Sequence, residues 1–358
     1  MPSGHWSDGK AIDKEQIQMI KTSEWVSLGH PDKTADYISC YLLDRFLERD
    51  PKARFAVEVM LKDNFVTLGG EVACKADFTD EEIAQFVRVA VNEIGYTREY
   101  QEKWGHENAI CGDDLQVTAH IGRQSNEIGQ GVGRDGWGDQ GIFHGMAVNC
   151  PEYDDMPLDH HLAKKLGTTL FNSGLGGLDI KTLVATNDGK VSHVTIAIPQ
   201  RPGCDNARKI IDIVGEMTNC SDIIMNGTGN YVCHSSIADC GITGRKLAVD
   251  FYGGNCRIGG GSPWTKDATK ADLTLNIHAR KLALDFMRRH NLNCVFTSLS
   301  CSIGSPEIEV SYQDACGHEL QNERAIAKPS ELISQYGLNR PIFTQLCRNG
   351  LFSQLQSC

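Results

Sequence analysis

Residues 54–95, RFAVEVMLKDNFVTLGGEVACKADFTDEEIAQFVRVAVNEIG, read as a strand, a strand and a helix in that order. From Arg54 to Lys62, Phe55, Val57, Val59 and Leu61 fall on one face, the period-2 alternation of a half-buried strand. A turn at Asp63-Asn64 leads to a second strand carrying Val66, Leu68 and Val72. Thr79 and Glu82 then have the spacing of a capping box, each side chain satisfying a free N–H at the helix start. Ile83, Phe86, Val87, Ala90 and Ile94 recur at three and four, and Gly95 closes the helix.

Upstream, Asp32 to Asp50 has helical spacing (Ala35, Ile38, Leu42, Phe46) and is stopped by Pro51. Downstream, the unit returns twice. Lys181 to Ala185 turns at Asn187-Asp188-Gly189 into Val191 to Ile198, and a helix follows from about Asp205 to Met217. Val295 to Ile303 and Ile308 to Tyr312 are strand-like, with a short helix from Ser330 to Tyr336. Three strand–strand–helix units, each burying one sheet face, predict an α+β fold of three similar lobes. The expected division is a polar extension over 1–20, an N-terminal lobe over 21–125, a glycine-rich gating loop over 126–138, a central lobe over 139–235 and a C-terminal lobe over 236–358, with the lobes interleaved.

The chain has 358 residues and a formal net charge of -11. No apolar run approaches the ~18–20 residues of a membrane span, and no basic face interleaved with aromatics suggests nucleic acid. Fourteen scattered cysteines without a CxxC pair read as reduced thiols. The expectation is a cytoplasmic protein with neither membrane nor nucleic-acid partners.

Asp239 to Asp272 gathers Arg245, Lys246, Arg257, Lys266 and Lys270 around the triple glycine 259–261, the composition of a polyphosphate site. The residues after Gly261 read as a helix with Asp267 in its first turn and Lys266 and Lys270 one turn apart. In Gly29-His30-Pro31-Asp32-Lys33, Asp32 reads equally as a Mg²⁺ ligand beside phosphates or as a helix cap. Glu58 faces away from Phe55 and Val57. If that face is covered it needs a cation, and Glu71 raises the same question; otherwise both face solvent. Asp239, six residues before Arg245, suits a ribose hydroxyl or a substrate ammonium, or a surface ion-pair network. The stretch 122–141 is a lid or a surface connection.

Taken in order, TSE at 22–24, GHPDK at 29–33, GGE at 69–71, GDQG at 138–141, DCGITGRK at 239–246 and GGGSPWTKDATKAD at 259–272 make the chain resemble the S-adenosylmethionine synthetases from about Thr22 to the region of Arg340. The resemblance implies three similar lobes around a pseudo-threefold axis, dimers or dimer pairs with interface active sites, and synthesis of S-adenosylmethionine from ATP and L-methionine with Mg²⁺ and K⁺. It further implies that His30, Lys181, Arg245, Lys246 and Lys266 contact the phosphates, that Asp32 and Asp272 hold Mg²⁺, and that Glu58 helps hold K⁺. Glu71, Gln124 and Lys270 match methionine-site positions, Asp239 touches ribose and methionine, Asp179 and Tyr231 contact the nucleotide, and Asp139 helps position substrates. Three departures stand out: a short loop between Gln124 and Asp139, the segment His234–Ala238 in place of a glycine-rich turn, and an end at Cys358. Side chains in His234–Ala238 are expected to narrow the substrate pocket or to move Asp239. The alternative reading is a paralogue that only hydrolyses ATP or triphosphate, or a non-catalytic partner of an active synthetase.

Overall fold

The computed structural model describes residues 20–123 and 135–357. The expected extension, save Ile20, and residues 126–134 of the expected gating loop lie outside the described residues, as does Gln124. The stretch 54–95 folds as its pattern dictates. Arg54–Lys62 pairs antiparallel with Phe65–Ala73, with Phe55 opposite Val72. Phe55, Val57, Val59 and Leu61 are all buried, at roughly 1.5–3 kcal/mol of hydrophobic stabilisation each. The helix Asp80–Ile94 shows both reciprocal bonds of the Thr79–Glu82 box and ends on Gly95 at φ 120°, a conformation that strains any residue with a Cβ.

The described strands form three four-stranded sheets. The first runs Gln116–Arg123, Phe65–Ala73, Arg54–Lys62, Gly241–Ile242. In the second the order is Ile20–Val26, Lys181–Asn187, Lys190–Ala197, Ile223–Met225. Its central hairpin turns at Asp188 (φ 49°) and Gly189 (φ 76°), two left-handed residues that match strand twist. Glu319–Ile326, Glu307–Gln313, Cys294–Cys301 and Gly141–Val148 make the third. Helices Pro31–Arg49 and Asp80–Ile94 back the first sheet, Leu158–Ser173 and Ala207–Thr218 the second, and Ala271–His290 the third. The first and third sheets share one apolar core, and the second has its own. No helix among the described residues is long and apolar enough to cross a membrane.

One expectation needs correction. The helix after the triple glycine begins at Ala271, so Asp272, not Asp267, is in its first turn. Residues 265–267 are extended against the strand Arg54–Lys62 instead: Val57 N–H donates to Thr265 O, Asp267 N–H to Phe55 O, and Asp267 Oδ2 accepts Phe55 N–H at 2.8 Å. The strand Glu319–Ile326 was not anticipated, because an exposed edge strand reading ELQNERAI carries no apolar alternation.

The helices leave the other face of the first sheet open. Ala56, Glu58 and Met60 lie on it, with Glu71 opposite Ala56, and Met60 and Phe65 are 45% and 59% exposed.

Candidate active site

The first helix begins in the GHPDK turn, and its cap sets a protonation state. His30 is the N-cap, and its Nδ1 accepts the backbone N–H of Asp32 at 3.1 Å. An accepting nitrogen carries no proton, so the neutral ring holds its proton on Nε2. Burial, then the charges of Lys181 and Lys246, bring the pKa down to about 3 against the opposing charge of Asp32. His30 is therefore a neutral N–H donor at physiological pH. Gly29 is required by a close approach, since a Cβ there would fall 2.3 Å from Leu178 O.

Asp32 and Asp36, one helical turn apart, pin the segment that carries the paired cations. Asp32 Oδ1 accepts Ile242 N–H at 2.9 Å, and Asp36 Oδ1 accepts Gly244 N–H at 2.9 Å. Lys246 Nζ then stands 2.6 Å from Asp32 Oδ2, and Arg245 Nη1 3.7 Å from Oδ1. Burial pushes the Asp32 carboxyl up, but the Lys246 and Ile242 hydrogen bonds outweigh it and hold it below the usual range. The role of Asp36 was missed from sequence; the i, i+4 repeat of acids at a helix start was the available signal.

A cavity of about 420 Å³ lies beside His30, lined also by Asp179, Lys181, Tyr231 and Asp239. Asp179 Oδ2 accepts Ser235 N–H at 3.2 Å, while Oδ1 is buried without a hydrogen-bond partner. Burial, offset in part by Lys181, raises this carboxyl to about 6. Tyr231 donates its hydroxyl to Asp179 O at 3.2 Å, which fixes the ring at the cavity wall. The unpaired Asp179 oxygen suits an N–H or O–H donor of the kind adenosine carries.

The segment expected to narrow this cavity turns inward instead. His234 is buried against Trp104 (ring centroids 4.7 Å apart), with Nε2 2.7 Å from Tyr100 Oη. Ser236 Oγ donates to Asp63 O at 2.7 Å, and Ser235 Oγ accepts Ile110 N–H at 3.3 Å. Of the segment only Ala238 reaches the cavity, beside Asp239, which follows it.

A second group forms around the open face of the first sheet. Lys266 bridges to Ala56, which is itself opposite Glu71, so Lys266, Glu71 and Glu58 share one side of the sheet. Lys266 Nζ donates to Asp272 Oδ2, and Thr243 Oγ1 donates to Glu58 Oε2. Cys301 Sγ lies 3.4 Å from the Asp139 carbonyl, and burial, opposed in part by a Gly141 backbone hydrogen bond and aided by the charges of Asp139 and Asp272, raises its thiol to about 11. Lys270 is buried at the helix N-cap. Among the described residues no hydrogen bond or ion pair joins the proposed ligands of this group to those around His30. The five cations of 239–272 thus do not form one cluster: Arg245 and Lys246 face Asp32, Lys266 pairs with Asp272, and Arg257 acts on His144. Nor is Lys33 a phosphate ligand here, since its ammonium is buried between Asp250 (2.7 Å) and Asp36 (3.2 Å).

Asp272 also depends on a missing side chain. A Cβ on Gly261 would lie 1.9 Å from Asp272 Oδ1. Gly261→Ala is expected to displace this carboxylate and raise the Mg²⁺ concentration for half-maximal activity on the order of tenfold. An unchanged Mg²⁺ titration would remove Asp272 from the metal site. The donor sets fit the implied ions: Asp32 and Asp272 are hard oxygen donors, few enough to leave a Mg²⁺ ion open to phosphate oxygens, and Glu58 beside the Thr243 hydroxyl offers oxygen to K⁺. All thirteen described cysteines are free. One of them, Cys316, stands with Asp314 and His318 in an exposed hairpin turn, the single three-ligand grouping among the described residues.

The S-adenosylmethionine synthetase N-terminal domain matches residues 18–126 and the C-terminal domain of the same family residues 233–357. The S-adenosylmethionine synthase of Desulforudis audaxviator is 34% identical, over 93% of each chain. That of Acholeplasma laidlawii is 31% identical, over 95% of this chain and 96% of its own. An S-adenosylmethionine synthetase structure from Campylobacter jejuni, described as unusual, superposes with a TM-score of 0.81 at 27% identity, covering 93% of this chain and 94% of the other. The two matching family domains, the nearly full-length similarity to named synthases and the shared fold place the chain in the S-adenosylmethionine synthetase family.

Proposed function

We propose that the protein is a methionine adenosyltransferase, converting ATP, L-methionine and water to S-adenosylmethionine, phosphate and diphosphate. The observation that carries this reading is a neutral, N–H-donating His30 held among Lys181, Lys246 and Arg245 beside a nucleotide-sized cavity. The methionine sulfur attacks C5′ of ATP in line, and the C5′–O bond breaks with its electron pair passing to the triphosphate. A sulfonium forms without losing a proton, so this step needs no general base. It needs a stabilised leaving oxygen and aligned reactants. His30 Nε2–H donates to that oxygen, while Lys181, Arg245, Lys246 and Lys266 carry the phosphate charge. Asp179 and Tyr231 hold the nucleotide, Asp239 the ribose and methionine, and Glu71, Gln124, Asp139 and Lys270 the methionine side. Water then cleaves the triphosphate to phosphate and diphosphate. Asp32 and Asp272 are the residues to hold Mg²⁺, with Glu58 toward K⁺; bound there, the ions neutralise triphosphate charge. Lys246 and Lys266 must leave these acids for phosphate oxygens as the ions enter.

The two separate residue groups support a site completed by a second copy of the chain, the open sheet face of one meeting the His30 cavity of the other. Mixing inactive His30→Asn chains with inactive Lys266→Met chains is then expected to restore about a quarter of wild-type activity: half the dimers are mixed, and each has one intact site. No recovery on mixing refutes the shared site. The activity itself is tested by incubating the purified chain with ATP and Mg²⁺, with and without methionine. Phosphate release without a sulfonium product overturns the proposal and selects a triphosphatase.

A further inference from the structure

A second cavity, of about 230 Å³, shares no lining residue with the one at His30. It lies where the helices Leu158–Ser173 and Ala271–His290 meet the C-terminal stretch 347–355. Five cations line it, Lys33, Lys164, Arg280, Arg288 and Arg348, against the three carboxylates of Asp154, Asp155 and Asp250. In a chain of net charge -11 this balance is reversed from the bulk.

Two of the carboxylates are engaged by cations of the cavity wall, and the third, on half-exposed Asp154, has only a distant histidine. Asp250 is 2.7 Å from Lys33 Nζ, Asp155 is 2.9 Å from Arg288 Nη2, and Asp154 lies 3.8 Å from His161 Nδ1. Lys164, Arg280 and Arg348 have no carboxylate within 4.0 Å among the described residues. Their donors meet neutral oxygens instead. Lys164 donates to Asn349 O, Arg280 to the carbonyls of Met146, Asp154 and Asp155, and Arg348 to the Tyr37 hydroxyl. Burial lowers the Lys164 pKa, and the more distant charges of Asp154 and Asp250 oppose that shift without cancelling it. His160, only 5% exposed, also lines the cavity, and its Nδ1 is buried with no hydrogen-bond partner. Gly350 leaves the space for Lys164, since a Cβ there would stand 2.7 Å from Nζ.

Of these three cations Arg280 is buried, Lys164 half-buried and Arg348 exposed; a buried cation without a close counter-charge is costly, and the unpaired His160 Nδ1 adds to that cost. We propose that this cavity binds a small oxyanion, a phosphate- or carboxylate-type dianion, through Lys164, Arg280 and Arg348 with His160 as a hydrogen-bonding partner. Its volume equals about seven or eight waters, enough for orthophosphate or a four-carbon dicarboxylate and too little for a nucleotide. The site is independent of the adenosyltransferase reading.

Calorimetric titration of the full chain with inorganic phosphate, and separately with succinate, tests it. A saturating non-hydrolysable ATP analogue is kept present to fill the phosphate positions at His30. One equivalent per chain of either anion is expected, weakened about tenfold or more by Lys164→Met and by Arg348→Gln. Phosphate binding alone assigns the phosphate class, and succinate binding alone the carboxylate class. Absence of binding by both, or binding unchanged in whichever variant folds, overturns the proposal.

Discussion

Replacing His30 by asparagine is expected to lower kcat for S-adenosylmethionine formation by about 10²–10³ with little change in the KM values for ATP and methionine. Asparagine is as good an N-cap as a helix accepts, and its side-chain oxygen takes over the Asp32 N–H that Nδ1 now holds. The helix start is thus preserved while the Nε2–H donor is lost, and the stability change should be small. The defect belongs to the transition state, where negative charge grows on the departing oxygen. Because the ring is neutral in the free protein, with its pKa brought down to about 3, the wild-type pH profile of kcat/KM, which reports free-enzyme groups, should show no His30 limb in the neutral range. A higher KM with unchanged kcat would assign His30 to ground-state binding and remove its leaving-group role.

The other large effect lies in the same five-residue motif and concerns stability. Lys33→Met is expected to destabilise the fold by about 3–5 kcal/mol, read as a lower urea midpoint. The Lys33 ammonium is buried between Asp250 and Asp36 and sits 4.6 Å over the Trp264 ring. Methionine fills the space but leaves two buried carboxylates facing each other uncompensated. The sign of the pH dependence follows from Asp36, whose carboxyl burial has already raised to about 7 despite Lys33. A group raised in the folded state takes up protons more readily folded than unfolded. The deficit of the variant is therefore largest above that pH and shrinks as the solution is acidified below it. An unchanged midpoint at neutral pH would show that the ion pair contributes nothing net.

Local pattern made much of this molecule legible. Phe55 to Leu61 and the Thr79–Glu82 box carry their own instructions, and those elements appear where the pattern put them. The stretch 264–270 misled because Lys266 and Lys270 have helical spacing and Asp267 resembles a first-turn acid. What decides its shape is pairing with Phe55 and Val57, roughly 210 residues away, which leaves no periodic trace. Lys33 and Asp32 are adjacent in sequence yet divide between packing and chemistry, because Asp250 is 217 residues from Lys33 and Lys246 is 214 from Asp32. His234–Ala238 looked intrusive for a similar reason. Sequence places bulk there, and only the neighbouring Trp104, Tyr100 and Asp63 show that the bulk points into the core.

The sheets also constrain the order in which the chain can mature. The second sheet takes an edge strand from Ile20–Val26, the third from Gly141–Val148, and the first from Gly241–Ile242. Each lobe is thus finished by a strand from outside its own run of sequence, in a closed round of lending. During synthesis the N-terminal strand must wait for residues past 180 before its partner exists, and the first sheet lacks its edge until residue 242 has emerged. No lobe can be completed early, so partly made chains carry unpaired strand edges, and the finished protein gains its order late and together.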